Sequence, residues 1–265
     1  MPLAKAADDT AINYELHGDG QRVLVLLAGQ SNNRHWWDCV LPDFAESFLV
    51  VTIDYRGTGD SGKPDTDSYS TRGFAEDAVA VLDAIGADRF DVYGTSMGGR
   101  VAQWLAADNP ARVNALVLGC TSPGHPHGVE RDPEITRALG GRDKASVRKT
   151  LLELMYTPEW LESHPGPYNT IGDRAMPSYA RRRHRRASAG HDSWDVLPTI
   201  AAPTLVVHGT DDVFNPAANA PLLADRIPGA KLELIEGARH AYFEEYRAVA
   251  SPLVLDFLLE AGRRS

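Results

Sequence analysis

Short runs of consecutive apolar residues alternate along the chain with segments whose apolar residues recur every three or four positions. Val23–Ala28, Phe48–Ile53, Phe90–Tyr93, Ala115–Leu118, Thr204–Val207 and Leu232–Ile235 are such runs, rich in β-branched residues, and most end at a glycine or a polar residue. Runs this short fit strands buried on both faces. Thr10–His17 alternates instead, with Ile12, Tyr14 and Leu16 on one face, as in a half-buried strand. Between the runs, Phe74–Ile85 repeats at helical spacing through Phe74, Ala78, Val81, Leu82 and Ile85. Val101–Ala107, Asn219–Arg226 and Ala248–Leu259 are further helical segments. Strands alternating with helices imply βαβ units, hence an α/β fold with a mostly parallel central sheet flanked by helices.

The alternation stops between residues 122 and 198. A Pro/Gly connector, Ser122–Pro126, leads into helical patterns at Pro133–Leu139, Ala145–Tyr156 and Tyr179–Ala189, with no strand run among them. The expected division is a core of residues 1–121 and 199–265, and a helical cap of residues 122–198 over the sheet end where ligands bind. Charge sets this stretch apart. Residues 123–200 hold 12 Lys and Arg against 10 Asp and Glu, and the rest of the chain holds 15 against 26. The basic run Arg181–Arg186 reads as a solvated helix face.

The whole chain of 265 residues has a formal net charge of −9. That balance argues against a nucleic-acid partner. The two cysteines, Cys39 and Cys120, suit neither a disulfide framework nor a zinc site, so no metal is expected. Met1–Thr10 has no apolar signal segment, and the longest apolar run is far too short to span a membrane. The expectation is a cytoplasmic protein without a membrane partner; its oligomeric state, a homodimer included, stays open.

The chemistry gathers at strand ends. Gly94-Thr95-Ser96-Met97-Gly98 is a G-x-S-x-G placed between a strand run and a helical segment. A turn that sharp strains the serine backbone and exposes its hydroxyl, and a side chain at Gly94 or Gly98 would collide across it. A serine nucleophile needs a base. Of nine histidines, His240 lies in the loop directly after Leu232–Ile235. His208 ends a strand run and reads as a residue that packs or hydrogen-bonds locally; His125, His127, His164 and His184 fall in the insertion, where surface or pocket-lining roles are expected. The acid that orients the base is expected after Thr204–Val207, where Asp211 and Asp212 compete. For the oxyanion, the Met97 amide opens the helix, and the Ala28–Trp37 loop would aim the Gln30 amide. Trp36 and Trp37 are candidates to line an acyl pocket, and the polar stretch Gln30–Arg34, with Asn32, to touch substrate.

Together these segments resemble the α/β-hydrolase superfamily. The Ala28-Gly29-Gln30 loop, Asp54-Tyr55-Arg56-Gly57-Thr58-Gly59-Asp60-Ser61, the Ser96 elbow and the Asp212 and His240 loops occur in the family's order. The resemblance marks Asp212 over Asp211 as the acid, supports His240, and makes Arg56 structural. Many members have His-Gly at the oxyanion loop where this chain has Ala28-Gly29. The chain looks most like the small bacterial carboxylesterase, enol-lactonase and cofactor-free haloperoxidase-like group. That implies a cofactor-free hydrolase of small esters or lactones, with catalytic Ser96, Asp212 and His240. The alternatives are C–C bond hydrolysis, acyl transfer or lyase chemistry on the same three residues, or a ligand receptor on the same fold.

Overall fold

The computed structural model describes residues 2–263; Met1, Arg264 and Ser265, the outermost residues of the expected core, lie outside that range. Eight strands form one sheet: β1 (Leu3–Lys5), β2 (Ala11–His17), β3 (Val23–Leu27), β4 (Leu49–Ile53), β5 (Phe90–Thr95), β6 (Val113–Gly119), β7 (Thr204–Gly209) and β8 (Lys231–Ile235). Their order is β1-β2-β4-β3-β5-β6-β7-β8, with β2 antiparallel to both neighbours and β3 to β8 parallel. The apolar runs are strands because they occupy the middle of this sheet. Leu24, Val25, Leu26, Val50, Val51, Val92, Leu116, Val117 and Val206 are fully or almost fully buried, covered from both faces.

The helices are α1 (Leu41–Ala45), α2 (Thr71–Ala84), α3 (Met97–Asp108), α4 (Pro133–Leu139), α5 (Lys144–Met155), α6 (Pro158–Ser163), α7 (Ser178–Ala189), α8 (Asn219–Arg226), α9 (Tyr242–Glu245) and α10 (Arg247–Gly262). Local chemistry starts several of them. Ser70 caps α2 by accepting from the Gly73 amide at 2.9 Å, and Asp143 caps α5. Helices α4 to α7 all fall between β6 and β7, and among the described residues that stretch holds no named strand.

Two elements differ from their sequence patterns. Strand β1 is three residues long, too short to show a period, and exists by pairing with β2. Strand β8 is not a doubly buried strand: Leu232 and Leu234 are 36% and 50% exposed, because β8 is the sheet's edge and pairs only with β7.

Insertion residues also depart from a surface role. His184 on α7 is fully buried among Tyr55, Tyr69 and Phe74, and its Nε2 lies 2.8 Å from the Arg56 carbonyl. Burial lowers its pKa to about 4, partly opposed by that hydrogen bond. The arginines around it are mostly exposed, and Arg183 pairs with Asp65 and Asp67 at 2.7 Å each. The helix thus solvates one face and inserts a neutral histidine with the other.

Candidate active site

Residue Ser96 joins β5 to α3 with φ 57° and ψ −123°, a left-handed conformation that costs a non-glycine residue ~1–3 kcal/mol. The surroundings hold it there. Its amide donates to Gly119 O at 2.9 Å, and Thr121 Oγ1 donates to the Ser96 carbonyl at 2.7 Å. A Cβ on Gly94 would meet Gly98 O at 2.2 Å, and one on Gly98 would meet Leu27 O at 2.0 Å. The second clash shows how closely the start of α3 lies against the end of β3. That approach brings the Ala28–Gln30 loop to the helix N-terminus, where the Met97 amide precedes the first intrahelical acceptor. Gln30 is half-buried in this loop, and Ser31 turns it with φ 60°.

The loops after β7 and β8 bring Asp212 and His240 together. His240 Nδ1 lies 2.7 Å from Asp212 Oδ2, and both residues are buried. The other oxygen, Asp212 Oδ1, accepts from the amides of Phe214 and Asn215, each at 2.9 Å. Burial by itself would raise the Asp212 pKa, but His240 and His208 outweigh it and hold the carboxyl well below the usual range. The imidazole is therefore fixed with its proton on Nδ1, leaving Nε2 as the basic nitrogen. That Nε2 is buried and has no hydrogen-bond partner among the described residues. Ser96 Oγ makes no hydrogen bond to His240; such catalytic bonds commonly tighten only in a substrate complex. Asp211, the competing carboxylate, is exposed and accepts from Thr210 Oγ1 at 3.1 Å.

The His240 loop also leans on the insertion. The Ala241 amide donates to Met155 O at 2.9 Å, and Arg239 reaches Tyr156 O at 3.2 Å. Tyr156 OH donates to Glu244 Oε2 at 2.5 Å. Phe214 meets the His240 ring edge-on at 4.7 Å.

The residues expected to touch substrate have other contacts. Trp36 lies under Gly29, and its indole N–H donates to Thr95 Oγ1 at 3.0 Å. Trp37 is fully buried, its ring 5.0 Å from Tyr93 and 5.4 Å from Phe243, which makes it a core residue. Both ends of the Asn32 amide serve the loops: Nδ2 donates to Gln30 O at 3.0 Å, and Oδ1 accepts from the Gly172 amide at 2.8 Å. Arg34 anchors the Ala28–Trp37 loop, buried against Asp54 at 2.6 Å and paired with Glu15 and Asp60. Arg56 binds Asp77 through two nitrogens at 2.7 and 2.6 Å, the structural role expected of it.

Two residues had weak sequence signals. His208 Nε2 shares Asp212 Oδ2 at 3.2 Å, a local hydrogen bond within the expected range of roles, but one made to the candidate acid itself. Asn215 Nδ2 donates to Cys120 O at 2.6 Å and ties the acid loop to the end of β6. Cys120 itself is fully buried, and burial pushes its thiol well above the ordinary value, so it is a poor nucleophile. A cleft of about 950 Å³ lies elsewhere, between Cys39, Trp160, His164 and Arg247, and contains none of Ser96, Asp212 and His240. Among the described residues no group of three or more His, Cys, Asp or Glu is placed to hold a metal ion, and no helix is long and apolar enough to cross a membrane.

Comparison with known proteins agrees with this fold. The family model described as alpha/beta hydrolase fold matches residues 22–246. The 2-hydroxymuconate semialdehyde hydrolase of Pseudomonas sp. is 32% identical, the match covering 85% of this chain and 81% of that protein. The 3-oxoadipate enol-lactonase 2 of Acinetobacter baylyi is 26% identical over 91% of each chain. A solved structure described as an N-acyl homoserine lactone degrading enzyme is 32% identical with a TM-score of 0.83, covering 97% of this chain and 100% of that one.

Proposed function

The chain belongs to the α/β-hydrolase fold family, and from that premise we propose that it is a serine hydrolase cleaving a carboxylic ester or lactone of a small organic molecule. The observation that carries this reading is the strained Ser96 turn at the same sheet end as the hydrogen-bonded His240–Asp212 pair. The names of the enol-lactonase and lactone-degrading relatives support the substrate class.

In this mechanism Ser96 Oγ attacks the acyl carbon as His240 Nε2 takes its proton. The Met97 and Gln30 amides receive the oxyanion, an arrangement worth ~3–4 kcal/mol per donor. Asp212 stays ionised and stabilises the imidazolium. His240 then protonates the leaving alkoxide; in a lactone, that alkoxide remains part of the acyl group. Water, activated by the same nitrogen, releases the acid and restores Ser96. The protein's own groups supply every step. Residues 122–198 act as the cap, since the Met155 carbonyl holds the loop that carries His240. Both cysteines are free thiols, which supports a cytoplasmic setting.

A fluorophosphonate should label the wild type and not Ser96→Ala. Turnover of p-nitrophenyl butyrate should fall by ~10⁴–10⁶-fold in that variant. Equal labelling of the two proteins would overturn the assignment.

A further inference from the structure

Most shielded guanidinium groups in this acidic protein face a carboxylate. Arg34 faces Asp54, Arg56 faces Asp77, and Arg22 faces Asp91. Arg131, at the start of the insertion, is different. It is half-buried, yet among the described residues it makes no hydrogen bond and no ion pair. Its Cζ lies 4.5 Å from the centroid of the Phe214 ring, and that ring meets His240 edge-on at 4.7 Å. A single aromatic ring therefore separates the guanidinium from the imidazole.

The neighbouring charges do not neutralise it. Glu130 is exposed and forms no ion pair with it. Asp212 is close enough to be felt, but both its oxygens already accept hydrogen bonds. Arg100, one turn into α3 from Ser96, is a second cation in the same region. It donates only to neutral groups: Ser188 O at 2.5 Å, Ser188 Oγ at 3.0 Å and Ser122 Oγ at 2.9 Å. Burial lowers the pKa of both arginines, and at Arg100, which falls to about 10, repulsion from Arg131 adds to that lowering. Glu130 attracts both cations from a distance, but no carboxylate among the described residues contacts either one, and a shielded cation without such a contact is costly unless an anion arrives from outside. The face of Phe214 holds the Arg131 group in place without satisfying its donors.

We propose that Arg131 is the seat for a substrate carboxylate, so that the ester or lactone carries an anionic group that docks beside Phe214 while its scissile carbonyl lies at Ser96. This rests on the serine-hydrolase reading above. The guanidinium offers a forked pair of donors matched to a carboxylate, and Arg100 adds a favourable field without touching the ligand. Phe214 and Arg131 together would then choose acidic substrates over neutral ones of equal size.

The test uses matched pairs: the monomethyl and dimethyl esters of succinate, glutarate and adipate, which differ only in the distal group. For the best chain length, the wild type should prefer the monoester in kcat/KM by about 10- to 100-fold, the range for a hydrogen bond to a charged group. Arg131→Gln should abolish that preference by raising KM for the monoester, with the diester unchanged and kcat little altered. Arg131→Lys should restore part of it. Arg131 holds no structural hydrogen bond, so these variants should fold, as their circular dichroism would show. Wild-type protein labelled by fluorophosphonate that hydrolyses both esters equally, or neither, would overturn the anion seat alone. Wild-type protein that is not labelled at all would overturn the hydrolase reading beneath it.

Discussion

His208 Nε2 lies 3.2 Å from Asp212 Oδ2, the same oxygen that His240 Nδ1 approaches to 2.7 Å. The Asn215 carbonyl lies 2.8 Å from that His208 nitrogen and can only accept, so Nε2 carries a proton and donates to both. One oxygen of the acid thus receives two imidazole N–H groups and the other receives two backbone amides. A carboxylate bound on all sides stays ionised and cannot swing away from His240.

His208→Phe keeps a ring in this buried place but removes the donor. It should lower kcat by about 10- to 100-fold, the range seen when an orienting partner is lost, with KM little changed. His208→Gln, whose amide can still donate, should recover part of the loss. If steady-state kinetics found the two variants equal to each other, the role of His208 would be packing alone.

Asp211 and Asp212 are adjacent but differ in burial. Asp212→Asn leaves the geometry nearly intact yet puts an amide where the His240 proton must be accepted. It should cost ~10⁴-fold in kcat through the wrong tautomer. Asp211→Asn, at an exposed carboxylate bonded only to Thr210 Oγ1 among side chains, should stay within about twofold of wild type. Comparable losses in the two variants would contradict the arrangement.

The pH dependence of stability should show the buried histidines. His184 has a folded pKa of about 4, lowered first by burial, against 6.5 for the free group. Below pH ~6.5 the unfolded chain gains a proton that the folded protein refuses, so stability is full above that pH and drains away down to pH ~4. The single group should account for about 2 kcal/mol lost by pH 5. His191, lowered well below its ordinary value by burial and by Arg100, acts in the same direction. Urea unfolding at pH 7.5 and 5 should show the loss in the wild type and a smaller one in His184→Phe. The same slope in both proteins would remove His184 from the explanation. Because His184 ties α7 to the Arg56 carbonyl, α7 should loosen first.

The order and type of the main elements were legible in the chain by itself, because they follow from near-neighbour chemistry. An apolar run such as Val23–Leu27 can satisfy its surroundings only inside a sheet, and the glycines around Ser96 state the turn that their neighbours require. Helix α8 begins and ends where its pattern does. The same local signals put Ser96 and His240 at the ends of β5 and β8 and leave Asp211 and Asp212 competing after β7. What each side chain meets was decided by tertiary structure. By sequence Trp37 is a candidate to line an acyl pocket and Asn32, in a polar stretch, to touch substrate, yet one fills the core beside Tyr93 and the other fastens Gly172. Leu234 belongs to an apolar run and is exposed because β8 is the edge of the sheet. His240 on Asp212, His184 beneath α2 and Arg131 against Phe214 depend on residues brought together from distant parts of the chain. A sequence encodes periods and turns directly; it encodes a partner across the fold only through packing.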